Sequence, residues 1–198
     1  INAMALRLPD KTFVDPFNGL QDLLAGVIRT PGAPEVSFGD DPLRMMRGAR
    51  FAAQLGFEIE PQTFAAMTEM AARIEIISAE RVHDELVKLL QGAHPRLGLQ
   101  ALVDSGLAER VLPELPALRL EVDEHHHHKD VYEHTLRVVE QAISYEADYD
   151  LEGDLVLRLA ALLHDIGKPA TRRLEPGGGV TFHQHDLVGA KLAKKRMQ

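Results

Sequence analysis

Apolar residues recur three or four positions apart over most of this chain, which predicts amphipathic helices. Between residues 40 and 91 the pattern predicts three successive helices. Gly56 ends the first and Pro61 opens the second, while Ser78 is a predicted N-cap of the third. A shorter helix is predicted from Leu97 to Ser105.

The last third of the chain shows the same helical spacing. Helices are predicted at about Val131–Glu146, Leu155–His164 and Asp186–Arg196. The second of these is almost wholly apolar apart from Arg158, so we expect it to be buried. A glycine turn precedes a predicted strand, Val180–Phe182.

The first 35 residues are instead rich in turn signals. Short strands are predicted at Thr12–Val14 and Val27–Arg29, on either side of a helix from Gly19 to Ala25. Asn18 is the expected N-cap of that helix and Gly26 its stop. This segment is typical of the end of an α/β region, so the chain as a whole is expected to be mainly α.

Composition narrows the classes of protein to which this chain can belong. The chain has 198 residues, of which 45% are apolar and none is cysteine. The absence of cysteine excludes disulfides and thiolate metal sites and fits a cytoplasmic protein. No apolar run reaches the roughly 18 residues of a membrane span. The start at Ile1–Met4 lacks both an initiator Met at position 1 and signal-peptide features, so we expect it to lie within a longer protein.

The charge balance argues mildly against nucleic acid as a partner. Asp and Glu number 30 against 22 Lys and Arg, for a net charge of −8, whereas a phosphate backbone attracts positive charge. The basic residues are clustered, however, so local basic surfaces are compatible with the acidic total. The clusters are Arg44, Arg47, Arg50 and Arg81, and then Lys191, Lys194, Lys195 and Arg196.

A candidate metal site stands at the end of the apolar helix. His164 and Asp165 are adjacent there, and His134 lies on the preceding helix and is expected to face inward. Imidazole and carboxylate together form a mixed N/O site for a divalent ion. Without cysteine a structural zinc site is disfavoured, which leaves Mn, Mg, Fe, Ni or Co. The alternative for His134 alone is a hydrogen-bonded core histidine.

Further polar residues surround this candidate site in sequence. His183 and His185 are expected to face the same way in an extended segment, either as ligands or as contacts to substrate phosphate. Lys168 and Arg172 are candidate contacts to an anionic substrate. His126, within an internal run of histidines, is a candidate for the pocket mouth. For all of these the alternative is an ordinary solvated side chain.

These residues resemble the signature of HD-domain phosphohydrolases. His134, His164 and Asp165 match its spaced His and its His-Asp doublet, and the resemblance implies that Asp165 takes part in hydrolysis. The superfamily also uses a distal Asp, for which we expect no counterpart among the residues after Asp165.

The first half resembles class II tRNA nucleotidyltransferases (CCA-adding enzymes) and bacterial poly(A) polymerases. Linked motifs in the family's order carry the resemblance, which extends over nearly the whole chain. They are Ile1–Ala5, then Asp15–Gly19 with Asp22–Leu23 and Ile28–Arg29, then Asp40–Arg47, and finally Ile77–Val82 with Glu85–Leu86.

The resemblance implies which residues bind the incoming nucleotide. Asp41 and Arg44 would present a carboxylate and a guanidinium to the edge of CTP or ATP, and their i,i+3 spacing predicts one helical face. The alternative is a surface ion pair near a helix start. Arg47 and Arg50 would face the nucleotide or the RNA backbone. Asn2 and Asp15 would support the pocket or serve as turn residues.

The family transfers nucleotides with two Mg or Mn ions that a carboxylate pair holds. That pair lies before Ile1, so we expect this fragment to be inactive as a polymerase by itself. The HD site would use Mn, Ni, Co, Fe or Mg.

The resemblance also implies the domains and the function. Residues 1–35 would end an α/β nucleotidyltransferase head, 36–120 would form a helical neck and body, and 121–198 an all-α HD domain. The whole would add CCA to the 3′ end of tRNA. The alternatives are a poly(A) polymerase, a stand-alone HD phosphohydrolase and a non-catalytic RNA-binding scaffold.

Overall fold

The computed structural model describes residues 3–120, 130–176 and 179–197. The described chain is mainly helical, which confirms the predicted fold class. It forms two compact units, Ile1–Arg110 and Val111–Gln198. Within the described ranges, no helix combines the length and the apolar character that crossing a membrane would need. The division of function into segments with boundaries near residues 35 and 120 stays a prediction.

The first unit is built from short strands and a set of packed helices. Its strands are β1 (Ala5–Arg7), β2 (Thr12–Val14), β3 (Val27–Ile28) and β4 (Glu58–Ile59). β1 and β2 pair antiparallel, whereas β3 and β4 pair parallel with Ile28 opposite Ile59. The helices are α1 (Gly19–Ala25), α2 (Pro34–Asp40), α3 (Leu43–Leu55), α4 (Pro61–Met70), a 3-10 helix (Ala71–Ile76), α5 (Ala79–Leu90), α6 (Pro95–Asp104) and α7 (Ala108–Val111).

The centre of the first unit is α3, which packs against α5 and α6. Met45 and Met46 of α3 are completely buried, as is Leu89 of α5. Gly98 lets α6 approach closely, because a Cβ atom at this position would lie 2.7 Å from the Ala49 carbonyl oxygen. The predicted apolar stripes therefore form one core, which holds α3 as a rigid support for its polar face.

Several predictions for the first unit are confirmed and others are corrected. α1 has the predicted bounds and ends at Gly26 with φ of 67°. Asp15 rather than Asn18 accepts the hydrogen bonds of its first amides. α6 begins at Pro95, two residues before the predicted start, because proline suits the first helical position.

The second unit surrounds a pair of packed helices, α8 (Val131–Glu146) and α9 (Leu155–Leu163). Its other elements are two 3-10 helices (Pro116–Leu118 and Ala147–Tyr149), α10 (Lys168–Thr171), β5 (Arg172–Leu174), β6 (Val180–Phe182) and α11 (His185–Arg196). β5 and β6 form an antiparallel pair. α8 and β6 have the predicted bounds, and α9 ends one residue early, with His164 as its C-cap.

The expectation that α9 is buried along its whole apolar surface is wrong. Val156 is 76% exposed, whereas the one charged residue, Arg158, is 4% exposed. Arg158 is buried because its guanidinium donates to both carboxylate oxygens of Glu146, at 2.5 and 2.7 Å. This pair joins the start of α9 to the end of α8.

Candidate nucleotide cleft and metal centre

A cleft of about 810 Å³ opens in the first unit, between the strand and helix segment before residue 40 and the polar face of α3. Arg44, Arg47 and Arg50 line it. Arg29 and Lys88 line it as well. Two carboxylates also line the cleft, Glu85 and Asp22, and Asp22 pairs with Arg29 at 3.1 Å. The five cations outnumber these two carboxylates, which favours an anionic ligand.

A buried carboxylate anchors two of these arginines. Glu85 of α5 is 5% exposed and accepts from Arg50 Nε at 2.6 Å and from Arg47 Nε at 3.4 Å. The Arg50 guanidinium also lies over the Phe51 ring, 4.0 Å from its centroid. Because each guanidinium carries five N–H donors, both arginines keep donors beyond those that Glu85 accepts.

Arg44 is held by a residue that the sequence did not indicate. Its Nη1 donates to the carbonyl oxygen of Ser37 at 3.2 Å and to Ser37 Oγ at 3.1 Å. Ser37 is 5% exposed and lies on α2. The sequence does not indicate α2, because its N-cap is Ala33 and no glycine follows its last residue, whereas Asn18 and Gly26 mark the ends of α1.

Asp41 and Arg44 do not share a helical face. Asp41 follows α2 in an extended conformation, whereas Arg44 lies in the first turn of α3. The Asp41 carboxylate accepts from the Leu43 amide at 3.2 Å and pairs with Arg81 Nη2 at 3.3 Å. Among the described residues that line the cleft, Arg44 is present and Asp41 is not.

Asp15 performs a local structural task. Its carboxylate accepts from the amides of Gly19 at 2.7 Å and Leu20 at 2.9 Å, which lowers its pKa, chiefly through the Leu20 bond. Asp15 therefore stabilises the start of α1, which agrees with the alternative prediction that it serves as a turn residue. Asn2, the other predicted support of this pocket, lies outside the described residues, as does His126.

In the second unit the predicted ligands converge. His134 of α8, His164 and Asp165 each offer a ligand atom, and these atoms all lie within 4.8 Å of one another. The two imidazole rings meet edge to face, with centroids 5.4 Å apart. Asp165 Oδ2 lies 3.0 Å from His164 Nε2 and 3.9 Å from His134 Nε2. The His134 side chain is 42% exposed, so the expectation that it faces inward is wrong: it is partly open to solvent.

The backbone around His164 prepares it as a ligand. Its Nδ1 lies 2.8 Å from the Ala161 carbonyl oxygen. With Nδ1 donating to that carbonyl oxygen, Nε2 is the nitrogen that faces Asp165, and it would bind an ion once it has lost its proton. Two imidazole nitrogens and one carboxylate oxygen suit a divalent transition metal or Mg²⁺.

The electrostatics of Asp165 depend on its neighbours. Burial opposes its ionisation most strongly, but hydrogen bonds from His164 and Lys168 outweigh burial and bring its pKa to about 2. The same hydrogen bond raises the pKa of His164, against the effect of burial. The carboxylate is therefore negative over the physiological range, as an ion ligand must be.

Two of the predicted neighbours contact Asp165. Lys168 Nζ lies 2.6 Å from Oδ2, and His185 Nε2 lies 3.7 Å from Oδ1. The His185 Nδ1 lies 2.8 Å from the Phe182 carbonyl oxygen, which repeats the arrangement at His164. Gly167 lets His185 come this close, because a Cβ atom at position 167 would lie 2.0 Å from the His185 carbonyl oxygen.

The other two neighbours are exposed. His183 and Arg172 are solvent-accessible, on the turn before α11 and on β5 respectively. The expected extended segment through His183 and His185 is wrong, because β6 ends at Phe182 and Gln184 has φ of 61°. The alternation of side chains along a strand therefore does not apply to this pair.

Comparison with known families finds a match in each of two parts of the chain. Residues 56–118 match the model described as the probable RNA and SrmB-binding site of polymerase A. Residues 131–198 match the HD domain. The chain thus carries a match to a polymerase-type RNA-binding region followed by a match to an HD domain.

Curated relatives make the assignment more specific. An A-adding tRNA nucleotidyltransferase of Deinococcus radiodurans is 40% identical over 198 residues, 97% of this chain and 44% of that protein. A multifunctional CCA protein of Hahella chejuensis is 38% identical over 201 residues, 98% of this chain and 44% of that protein. The chain matches a fragment of a class II tRNA nucleotidyltransferase, and it spans less than half the length of these relatives.

Solved structures share the fold. A tRNA-processing enzyme complex aligns with a TM-score of 0.64 and 20% identity over 97% of this chain and 45% of that chain. The Bacillus stearothermophilus CCA-adding enzyme in complex with CTP aligns with a TM-score of 0.53 and 24% identity, over 99% of this chain and 56% of that chain.

Proposed function

We propose that this chain is part of a tRNA nucleotidyltransferase that adds CCA to the 3′ end of tRNA, using CTP and ATP in the cytoplasm. The observation that carries the proposal is the cleft where Arg44, Arg47 and Arg50 meet and where buried Glu85 anchors two of them. The names of the relatives and the CTP-bound structure support it.

In this proposal the arginines of α3 bind the nucleotide. Arg44 donates to acceptors on the base edge, since a guanidinium pairs with ring nitrogen and carbonyl oxygen. Asp41 reaches an exocyclic amino group once its carboxylate leaves Arg81. Arg47 and Arg50 contact the phosphates or the RNA backbone. The Mg or Mn ions of the transfer step would require carboxylates outside these residues.

Nucleotide incorporation by the whole protein tests this proposal. The substrates are a tRNA without its terminal CCA, a tRNA that ends in CC, and an unrelated RNA. Incorporation of two CMP and one AMP on the first tRNA supports CCA addition. Long AMP tracts on the unrelated RNA would support a poly(A) polymerase instead. RNA binding without any incorporation would support a scaffold.

A second candidate is addition of the terminal A alone. The Deinococcus radiodurans relative carries the name of an A-adding enzyme. In that case AMP would be added to the tRNA that ends in CC, and CTP would not be used on either tRNA.

We propose further that the second unit is a metal-dependent phosphohydrolase. His134, His164 and Asp165 would hold one divalent ion, which would supply a Lewis acid for a phosphoester and an activated water. Lys168, Arg172, His183 and His185 would attract or orient the anionic substrate. The converging ligand atoms carry this proposal.

Hydrolysis of a nucleoside 2′,3′-cyclic phosphate with Mn²⁺, Ni²⁺, Co²⁺, Fe²⁺ or Mg²⁺ tests this second activity. Turnover that needs an ion and is lost in His164→Ala supports it. Turnover that His164→Ala retains would contradict the assigned site. Hydrolysis with neither RNA binding nor nucleotide incorporation would favour a stand-alone phosphohydrolase.

A further inference from the structure

One oxygen atom of the candidate metal centre already has a cationic partner within the chain. Lys168 Nζ lies 2.6 Å from Asp165 Oδ2, the same oxygen that faces His164 Nε2 and His134 Nε2. The lysine is the first residue of α10, three positions after the aspartate. Its ammonium group also lies 5.7 Å from the centroid of the Phe182 ring.

This contact stabilises a carboxylate that burial would otherwise penalise. Asp165 is 2% exposed, and an ionised carboxylate at such a position requires a positive partner or several hydrogen-bond donors. A charge-assisted hydrogen bond of this length is among the stronger polar contacts in proteins. Lys168 thus satisfies the electrostatic need that a divalent ion would satisfy.

A divalent ion and this ammonium group cannot both bind the same carboxylate oxygen at full strength. The ion would lie about 2 Å from Oδ2, as metal–oxygen bonds do, and so within a few ångströms of Nζ. Two positive charges at that separation repel strongly in a partly buried site. The Lys168 side chain is 21% exposed, so Nζ has access to solvent when it leaves the carboxylate.

We propose that Lys168 is a built-in competitor of the divalent ion, which occupies Asp165 Oδ2 until the ion displaces it. This inference rests on the proposed metal site. The lysine sets the affinity of the centre for its ion below the value that the three ligands alone would give. Displacement by the ion releases the ammonium group into the pocket.

Titration of the chain with Mn²⁺ by calorimetry tests the proposal. Lys168→Met removes the charge but keeps most of the side-chain volume, and we expect it to tighten Mn²⁺ binding by about tenfold or more, since the ion no longer displaces a charge-assisted hydrogen bond. Lys168→Arg keeps the charge and is expected not to tighten binding. Lys194→Met, at an exposed position on α11, is the control for the change in net charge.

The outcomes separate this inference from the metal site itself. If the parent chain binds Mn²⁺ and His134→Ala does not, the metal site stands. Binding by Lys168→Met that is then unchanged or weaker overturns the competition and indicates that the lysine orients the carboxylate. Equal tightening in Lys194→Met also overturns it. If neither the parent chain nor Lys168→Met binds Mn²⁺, both proposals fail.

A second measurement tests the proposal if the Lys168→Met variant does not fold. A crystal structure of the parent chain with Mn²⁺ bound shows directly whether the contact persists. We expect Nζ to have moved out of hydrogen-bond distance of Oδ2. A contact that stays near 2.6 Å with the ion in place would overturn the proposal.

Discussion

Arg158 and Glu146 show how much a single pair of residues decides in the second unit. Both are almost fully buried, and the carboxylate accepts two hydrogen bonds from the guanidinium and one from the Gly153 amide at 2.9 Å. The pair positions the start of α9, the helix whose C-cap is His164. The pair stabilises the fold only when both partners are present, because either charge alone would be buried without a compensating partner.

Substitution of Arg158 by Met is therefore expected to be costly. The variant leaves Glu146 buried without its partner, and we expect the free energy of unfolding to fall by about 3–5 kcal/mol. Urea denaturation followed by circular dichroism measures the change. The double variant Arg158→Met, Glu146→Leu is the matched control and should recover most of the loss. A double variant no better than the single one would show that the charges contribute net stability.

Because of the same pair, the stability of the second unit is expected to depend on pH. The hydrogen bond from Arg158 lowers the pKa of Glu146 below its ordinary value of 4.5. A carboxyl whose folded pKa is lowered stabilises the fold fully above the unfolded value, and this contribution disappears as the pH falls through the folded value. Stability should therefore decrease below about pH 4.5. The double variant should show a shallower decrease over the same range, measured by urea denaturation at each pH.

At the scale of elements, close helix packing depends on positions without a side chain. α6 approaches α3 at Gly98, where a Cβ atom would also lie 2.8 Å from Leu89 Cγ. In the second unit Gly167 and Gly189 bring α11 against the end of α9, and so place His185 beside Asp165. In both units a glycine determines how close a helix comes to the residues of a candidate site.

Gly98→Ala tests the packing of α6 on α3. The added methyl group would overlap backbone and side-chain atoms, and we expect a loss of about 1–3 kcal/mol in unfolding free energy. Gly39→Ala is the matched control, because it also lies in a helix but has nothing within 4 Å of the new Cβ atom. That variant should gain up to about 1 kcal/mol from helix propensity. Thermal unfolding of both variants measures the difference, and equal effects would contradict close packing at Gly98.

An element was predicted where its apolar pattern was long or where cap and turn residues marked its ends, as Asn18 and Gly26 mark α1. α8 spans sixteen residues and was predicted with its exact bounds. α2, β4 and α10 were missed. β4 and α10 are too short for a recognisable period, and α2 has neither a polar N-cap residue nor a glycine after its end. Their formation depends on neighbouring elements, as when β4 pairs with β3.

At the scale of the whole molecule, the two proposed activities use separate residues and should be separable. Glu85→Gln weakens the anchor of Arg47 and Arg50, and we expect it to reduce nucleotide incorporation by roughly a hundredfold, as misplaced binding groups do. It should leave cyclic-phosphate hydrolysis unchanged. Asp165→Asn removes the central ligand charge and should abolish hydrolysis while incorporation continues. Both assays are run on the whole protein, and loss of both activities in either variant would contradict this separation.

Periodicity and residue types at short spacing were sufficient to predict the mainly helical fold, the family resemblance and the three candidate ligands of the metal centre. Which side chains meet could be read only from the packed structure. It paired Asp41 with Arg81, Arg44 with Ser37, and Lys168 with Asp165. The physical reason is that a charged side chain takes the partner that packing brings within hydrogen-bond distance, and for Asp41 that partner is forty residues away in sequence.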